Sequence, residues 1–143
     1  MVGPVTQVEA TAGPSQTWSW AMPFELRSAH VVRVRVAALL AGSGLRRDTV
    51  DDACAVMSEL VANAVRHASP RDNGEVGVTV TLDPDSVVLA VADGGSVTVP
   101  SVMSPAPLAR GGRGLGIVHS LTRDWGVKES PEGNTVFGIL NRV

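Results

Sequence analysis

Apolar residues recur along this chain in two periods, and the periods divide it into elements. Residues 1–16 show neither. They are rich in Gly, Pro, Ser and Thr and read as a mobile tail, with a single domain over residues 17–143. "TWSWAMPFEL" alternates Trp18, Trp20 and Met22 before Pro23, the pattern of an edge strand. In "SAHVVRVRVAALLAG" the valines and leucines can share one helix face, Ser28 can cap it, and Gly42 and Gly44 can end it. "HVVRVRV" alone would also suit a strand, but the cap, "AALLAG" and the glycine stop agree on a helix. A longer helix, capped by Asp48 or Thr49, runs to about Ala68, where Pro70 and "RDNG" break it.

The period then changes to two. Val76, Val78, Val80 and Leu82 alternate with smaller residues, "DPDS" supplies a turn, and "VVLAVAD" is a second apolar run, which together predict a β-hairpin. Residues 96–112 lose periodicity, and a loop of that length in a small domain is functional or disordered. "GLGIVHSLTRDW" predicts a helix with a glycine-rich start, and "WGVKES" with "TVFGILNRV" a second hairpin turning at Gly133 and Asn134. Helices grouped in sequence and strands paired as hairpins predict an α+β fold. The expected form is a two-layer α/β sandwich whose mixed, mostly antiparallel sheet is covered on one face by about three helices.

Composition narrows the function. A formal net charge of −2 and a pI near 5.9 argue against a nucleic-acid or membrane-surface partner. Cys54 is the only cysteine, and three scattered histidines give it no spaced metal cluster, so disulfide scaffolds and zinc folds drop out. The N-terminus has no basic or apolar signal region, and no apolar run approaches the ~18 residues of a membrane span, so a cytoplasmic protein is expected.

The candidate chemistry starts in "SELVANAVRHA". At about 100° per residue, with Glu59 at zero, Arg66 falls near −20°, Asn63 near 40° and His67 near 80°, while Leu60, Ala53, Ala64, Met57, Val50, Ala68, Val61, Cys54 and Val65 lie at roughly 100° to 240° and Val56 intrudes near 60°. One face thus carries a carboxylate, an amide, a guanidinium and an imidazole. By itself such a face is more often solvated surface. "VADGGS" ends an apolar strand with Asp93 and two glycines, which is either a plain Asp-Gly turn or a strand tip where backbone can approach a flat ligand. "GGRGLGIV" puts Gly112, Gly114 and Gly116 at a loop-to-helix junction, where free N–H groups and the helix dipole favour phosphate. No GxxxxGK[ST] motif occurs, so a P-loop is excluded.

The order ExxxNAxxH, DxG, GxGLG and "GNT" resembles that of the GHKL (Bergerat-fold) ATP-binding proteins, and within them the small bacterial anti-sigma-factor serine/threonine kinases of the RsbW and SpoIIAB type. The likeness runs from about Trp18 to Val143. It implies an ATP- and Mg²⁺-dependent kinase with Glu59 as the general base, Asn63 holding Mg²⁺ against the phosphates, and Asp93 accepting from the adenine amino group beside Gly95. By the same resemblance Gly112, Arg113, Gly114, Leu115 and Gly116 cover the phosphates as residues 96–111 close like a lid, and Arg66, His67 and Thr135 touch ATP or acceptor. The implied partners are an anti-sigma-factor antagonist of the STAS type, a sigma factor, and a second copy in a homodimer, for which "TWSWAM" is a candidate surface unless Trp18 and Trp20 cap the core. Two features depart from the family pattern. Val97 replaces the second glycine of DxGxG, and the lid is short and carries Pro100, Pro105 and Pro107, which predicts a lid hinge stiffer or differently shaped.

Overall fold

The computed structural model describes residues 14–95 and 113–143. The expected tail lies outside these residues as far as position 13, and ordered strand begins at Gln16. The elements in chain order are β1 (Gln16–Pro23), α1 (Arg27–Leu40), α2 (Arg47–His67), β2 (Glu75–Leu82), β3 (Ser86–Ala92), α3 (Arg113–Leu121), β4 (Asp124–Ser130) and β5 (Gly133–Asn141). The strands form one sheet in the order β1-β2-β3-β5-β4, and all four pairings are antiparallel rather than mixed.

Both predicted hairpins form, β2–β3 and β4–β5, and β1 is an edge strand as its proline requires. Val76, Val78, Val80 and Leu82 of β2 point to one face, where they meet Val32, Val36 and Leu40 of α1 and the apolar side of α2. Trp18 and Trp20 pack against this core, with the Arg35 guanidinium 5.3 Å from the centroid of Trp20. The tryptophans therefore cap the core.

Helix α2 is central. It packs against α1, α3, β3 and β5, so it is buried on more sides than its apolar arc predicts. Val56, placed by angle among the polar residues, is fully buried. It sits over Gly138, where a β-carbon would crowd Val56, Val118 and Thr122. A glycine in β5 thus lets two helices approach the sheet closely.

Local details differ from the sequence reading. Leu26 and Arg46 occupy the N-cap positions, without side-chain cap bonds, in place of Ser28 and of Asp48 or Thr49. Ser28 instead donates its hydroxyl to the carbonyl of Pro23 at 2.7 Å, tying α1 to the end of β1. Asp48 lies in the first turn, where its charge suits the helix dipole. Helix α3 stops at Leu121 rather than running to Trp125, because Thr122 folds its hydroxyl back onto the Val118 carbonyl at 2.7 Å and Trp125 is needed in β4. The second hairpin turns at Pro131 and Glu132, and Gly133 and Asn134 are already paired strand.

Candidate nucleotide site

Three chain segments meet at one end of the sheet. The β3 end, Asp93 to Gly95, lies between the start of β5 and the segment that leaves α2. Ser69 donates its N–H to the Gly95 carbonyl at 2.9 Å, and Gly94 donates to the Ser69 carbonyl at 2.8 Å. On the other side Asp93 donates its N–H to the Asn134 carbonyl at 2.9 Å. The fit is close enough to exclude β-carbons. A side chain at Gly94 would meet the Pro70 carbonyl, and one at Gly133 would meet the Asp93 carbonyl. Gly133 also has φ +146°, a conformation that favours glycine. The glycines after Asp93 thus fit a locked cradle better than a plain turn.

Asp93 is 5% exposed. Its Oδ1 accepts the Gly95 N–H at 2.6 Å and the Asn134 N–H at 3.3 Å, while among the described residues Oδ2 receives no hydrogen bond. Burial pushes the Asp93 carboxyl above the usual carboxylate range, and the Gly95 and Asn134 N–H bonds pull in the opposite direction. A fixed carboxylate with one oxygen that no described residue claims can accept from an exocyclic amine, which is the role the resemblance implies.

The four polar residues of α2 separate. Asn63 is 6% exposed, and its carboxamide has no described hydrogen-bond partner; Glu59, one turn earlier, is half-buried; Arg66 and His67 are exposed. The split follows from position along the axis. Arg66 and His67 occupy the last turn, where α2 leaves its cover, two and three residues before the Ser69 bond to Gly95. Asn63 offers the hard oxygen that Mg²⁺ takes alongside phosphates and water. Among the described residues no three His, Cys, Asp or Glu side chains gather into a metal group. Arg113 and Gly114 begin α3, Leu115 is buried, and Gly116 is half-buried. Gly112, Val97 and the proline-rich lid lie outside the described residues.

One expected residue is misplaced. Along β5, Asn134, Val136, Gly138 and Leu140 are buried on the helix side, whereas Thr135, Phe137 and Ile139 turn to the opposite face. Thr135 therefore points away from the site. Asn134, 7% exposed, stands opposite Asp93 on the helix side, and directly opposed residues of an antiparallel pair put their β-carbons only about 5 Å apart. Its carboxamide has no described hydrogen-bond partner either. The sequence did hold a signal for it, the phase set by Val136 and Leu140, but Phe137 and Ile139 support the other phase equally well.

A family model described as "Histidine kinase-like ATPase domain" matches residues 22–137. This chain belongs to that family. It is 31% identical to an anti-sigma F factor of Bacillus licheniformis over 119 residues, 78% of this chain and 82% of that protein. It is 29% identical to the anti-sigma F factor of Bacillus subtilis over the same shares of the two chains. A solved structure of the RsbU and RsbW domains of Rv1364c from Mycobacterium tuberculosis superposes with a TM-score of 0.68 at 21% identity, covering 92% of this chain and 34% of that one. That match shows the fold, on about a third of the larger chain. For this member of the histidine kinase-like ATPases, the two-layer architecture and the ordered motifs agree with the branch that the sequence resembles.

Proposed function

We propose that this chain is an ATP- and Mg²⁺-dependent serine/threonine kinase of the anti-sigma-factor type. Its substrate is a hydroxyl of a small STAS-type antagonist, a sigma factor is its second partner, and two chains act together. The observation that supports this reading is the buried Asp93 with Asn134 opposite it, its Oδ2 receiving no hydrogen bond from the described residues, together with the buried Asn63 on α2 and Glu59 one turn earlier.

Each residue then has a part. Asp93 accepts from the adenine amino group, and Gly94 and Gly95 keep the backbone low beside the ring. Asn63 presents its oxygen to the metal, and the N-terminus of α3, with Gly114 and Gly116, offers backbone donors to phosphate. Arg66 and His67, exposed at the end of α2, stand where an acceptor protein arrives. ATP with Mg²⁺ supplies the transferable phosphoryl group and neutralises the charge that develops on it. Glu59 orients the acceptor hydroxyl and takes its proton at a carboxylate oxygen.

The test is phosphotransfer to a STAS-type antagonist with Mg-ATP, read as phosphoserine by mass spectrometry. Glu59→Gln should lower the rate by about 10²- to 10⁴-fold, the usual contribution of a general base, with nucleotide binding retained. Undiminished transfer would remove Glu59 from this role. Antagonist binding that changes between ATP and ADP without any transfer would make the chain a nucleotide-switched binding module instead of a kinase.

A further inference from the structure

Among the described residues, β1 pairs with β2 along one side only. Its eight residues, Gln16–Pro23, therefore turn a second row of main-chain N–H and C=O groups away from the sheet. An edge of that length is normally covered or carries charge, because unpaired main chain invites other strands, and β1 has no charged residue. Its side chains also await a neighbour. Trp18 and Trp20 are only half-buried on the helix side, and the Trp20 Nε1 is buried with no acceptor among the described residues. The Arg35 guanidinium, over the Trp20 ring, brings a positive charge to the same edge. The sequence just before β1 has a matching pattern. Residues 1–13 lie outside the described part of the chain, and Ser15, bonded to Asp83, fixes the point from which they leave the sheet. Val5 to Ala12 equals β1 in length, Val5, Thr6, Val8 and Thr11 favour strand, and Gly13 with Pro14 supplies turn chemistry.

We propose that the open edge of β1 is a docking site for the chain's own Val5–Ala12 segment, which folds back on it as a further antiparallel strand with Thr11 opposite Gln16 and Val5 opposite Met22. Three features select this register. It sets Pro4 against Pro23, so two residues without an N–H fall together at the end of the ladder. It puts Gln7 opposite Trp20, with β-carbons about 5 Å apart, where the side-chain carbonyl can accept the buried indole N–H. It places Glu9, the only charged side chain of residues 1–13, opposite Trp18 and diagonal to Trp20, on the face where the Arg35 guanidinium lies. On the other face Thr6, Val8 and Ala10 continue the rows of Ala21, Ser19 and Thr17, whose two hydroxyls are already bonded to Thr79 and Thr81. A shift of one residue reverses every one of these placements, turning Glu9 away from Arg35 and setting Val8 against Trp20. The nucleotide wall is built on α2, β3 and β5, so the added strand leaves it open.

Hydrogen exchange and a disulfide trap on the whole chain test this. Amides of residues 6–11 that bond to β1 should exchange at least about tenfold more slowly than in an unstructured peptide of the same sequence. Glu9→Arg should lower that protection roughly two- to fivefold, and the double variant E9R with R35E should restore it, because the charges again oppose. Val8→Cys with Ser19→Cys puts two thiols on directly opposed residues, a separation that a disulfide spans. Mild oxidation should close this bridge within one chain at least about tenfold faster than in Glu9→Cys with Ser19→Cys, read by peptide mass under non-reducing conditions. The unfolding midpoint of each reduced variant verifies that it folds. Exchange at the unstructured rate overturns the proposal, and equal closure of the two cysteine pairs overturns the register. A bridge found only between two chains overturns it as well, since the edge would then be filled by another molecule. None of these readouts depends on kinase activity, so the outcome is separate from that of the phosphotransfer assay.

Discussion

Asp93 and Asn134 hold each other across the ends of β3 and β5. Asp93 donates its N–H to the Asn134 carbonyl at 2.9 Å, and Asn134 returns its own N–H to the Asp93 carboxylate at 3.3 Å. Together with the Gly95 N–H the pair fixes one carboxylate oxygen, and among the described residues the other receives no hydrogen bond. This geometry separates the fold-holding role of Asp93 from the nucleotide-binding role proposed for it.

Asp93→Asn should divide them. An amide oxygen can accept the same two N–H bonds, so unfolding stability without nucleotide should stay within about 1 kcal/mol of the wild type. The sign of the pH dependence follows from burial, which raises the folded carboxyl. Its contribution is full below the ordinary carboxylate pKa and is lost as pH rises through the raised folded value. The variant should therefore match or exceed the wild type at neutral pH and lose that advantage on acidification. Its thermal shift with Mg-ATP should disappear. Thermal unfolding at several pH values, with and without nucleotide, checks both parts.

Asn134 and Thr135 give a contrast from adjacent positions. Thr135→Val lies on the face away from the site and should leave nucleotide affinity unaltered. Asn134→Leu should weaken it at least about tenfold, the equivalent of one hydrogen bond of about 1.4 kcal/mol. Calorimetric titration with ATP decides. Equal effects at both positions would contradict the phase of β5.

Asn63→Ala removes a buried carboxamide with no described partner, so the apo fold should lose less than a core truncation would, under about 2 kcal/mol. The variant should respond to ATP equally with Mg²⁺ and with EDTA, whereas the wild type should bind more tightly with the metal. A magnesium effect that survives the substitution would place the ion elsewhere.

Gly133→Ala should damage both fold and site. It asks a side chain to adopt φ +146° and to enter the space of the Asp93 carbonyl, a combination worth about 2 to 4 kcal/mol. Denaturant unfolding should show a lower midpoint. Addition of Mg-ATP should fail to restore it, because the Asp93 loop has been displaced.

Much of the fold could be read in advance. Period-two runs marked β2 and β3, turn residues marked their hairpin, and Gly42 and Gly44, both with positive φ, marked the end of α1. The helix caps could not, because Leu26 and Arg46 cap without side-chain bonds and leave no compositional trace. The order of Glu59, Asn63, Asp93 and the glycines before Leu115 pointed to the family from sequence alone.

What the sequence determined is periodicity and order; what the tertiary structure decided is phase and cover. "TVFGIL" is apolar in both of its alternating sets, so local pattern cannot say whether Asn134 or Thr135 faces the helices. The contact of Gly138 with Val56 and Val118 decides it. The helical angle grouped Glu59, Asn63, Arg66 and His67 on one side, but it carries no knowledge of what lies beyond that side. Packing of α1, α3 and the sheet around α2 buries Asn63, half-covers Glu59 and releases the last turn to solvent. Alternation and helical angle are properties of a single element. Burial is a property of its neighbours, and these are assembled only when the chain folds.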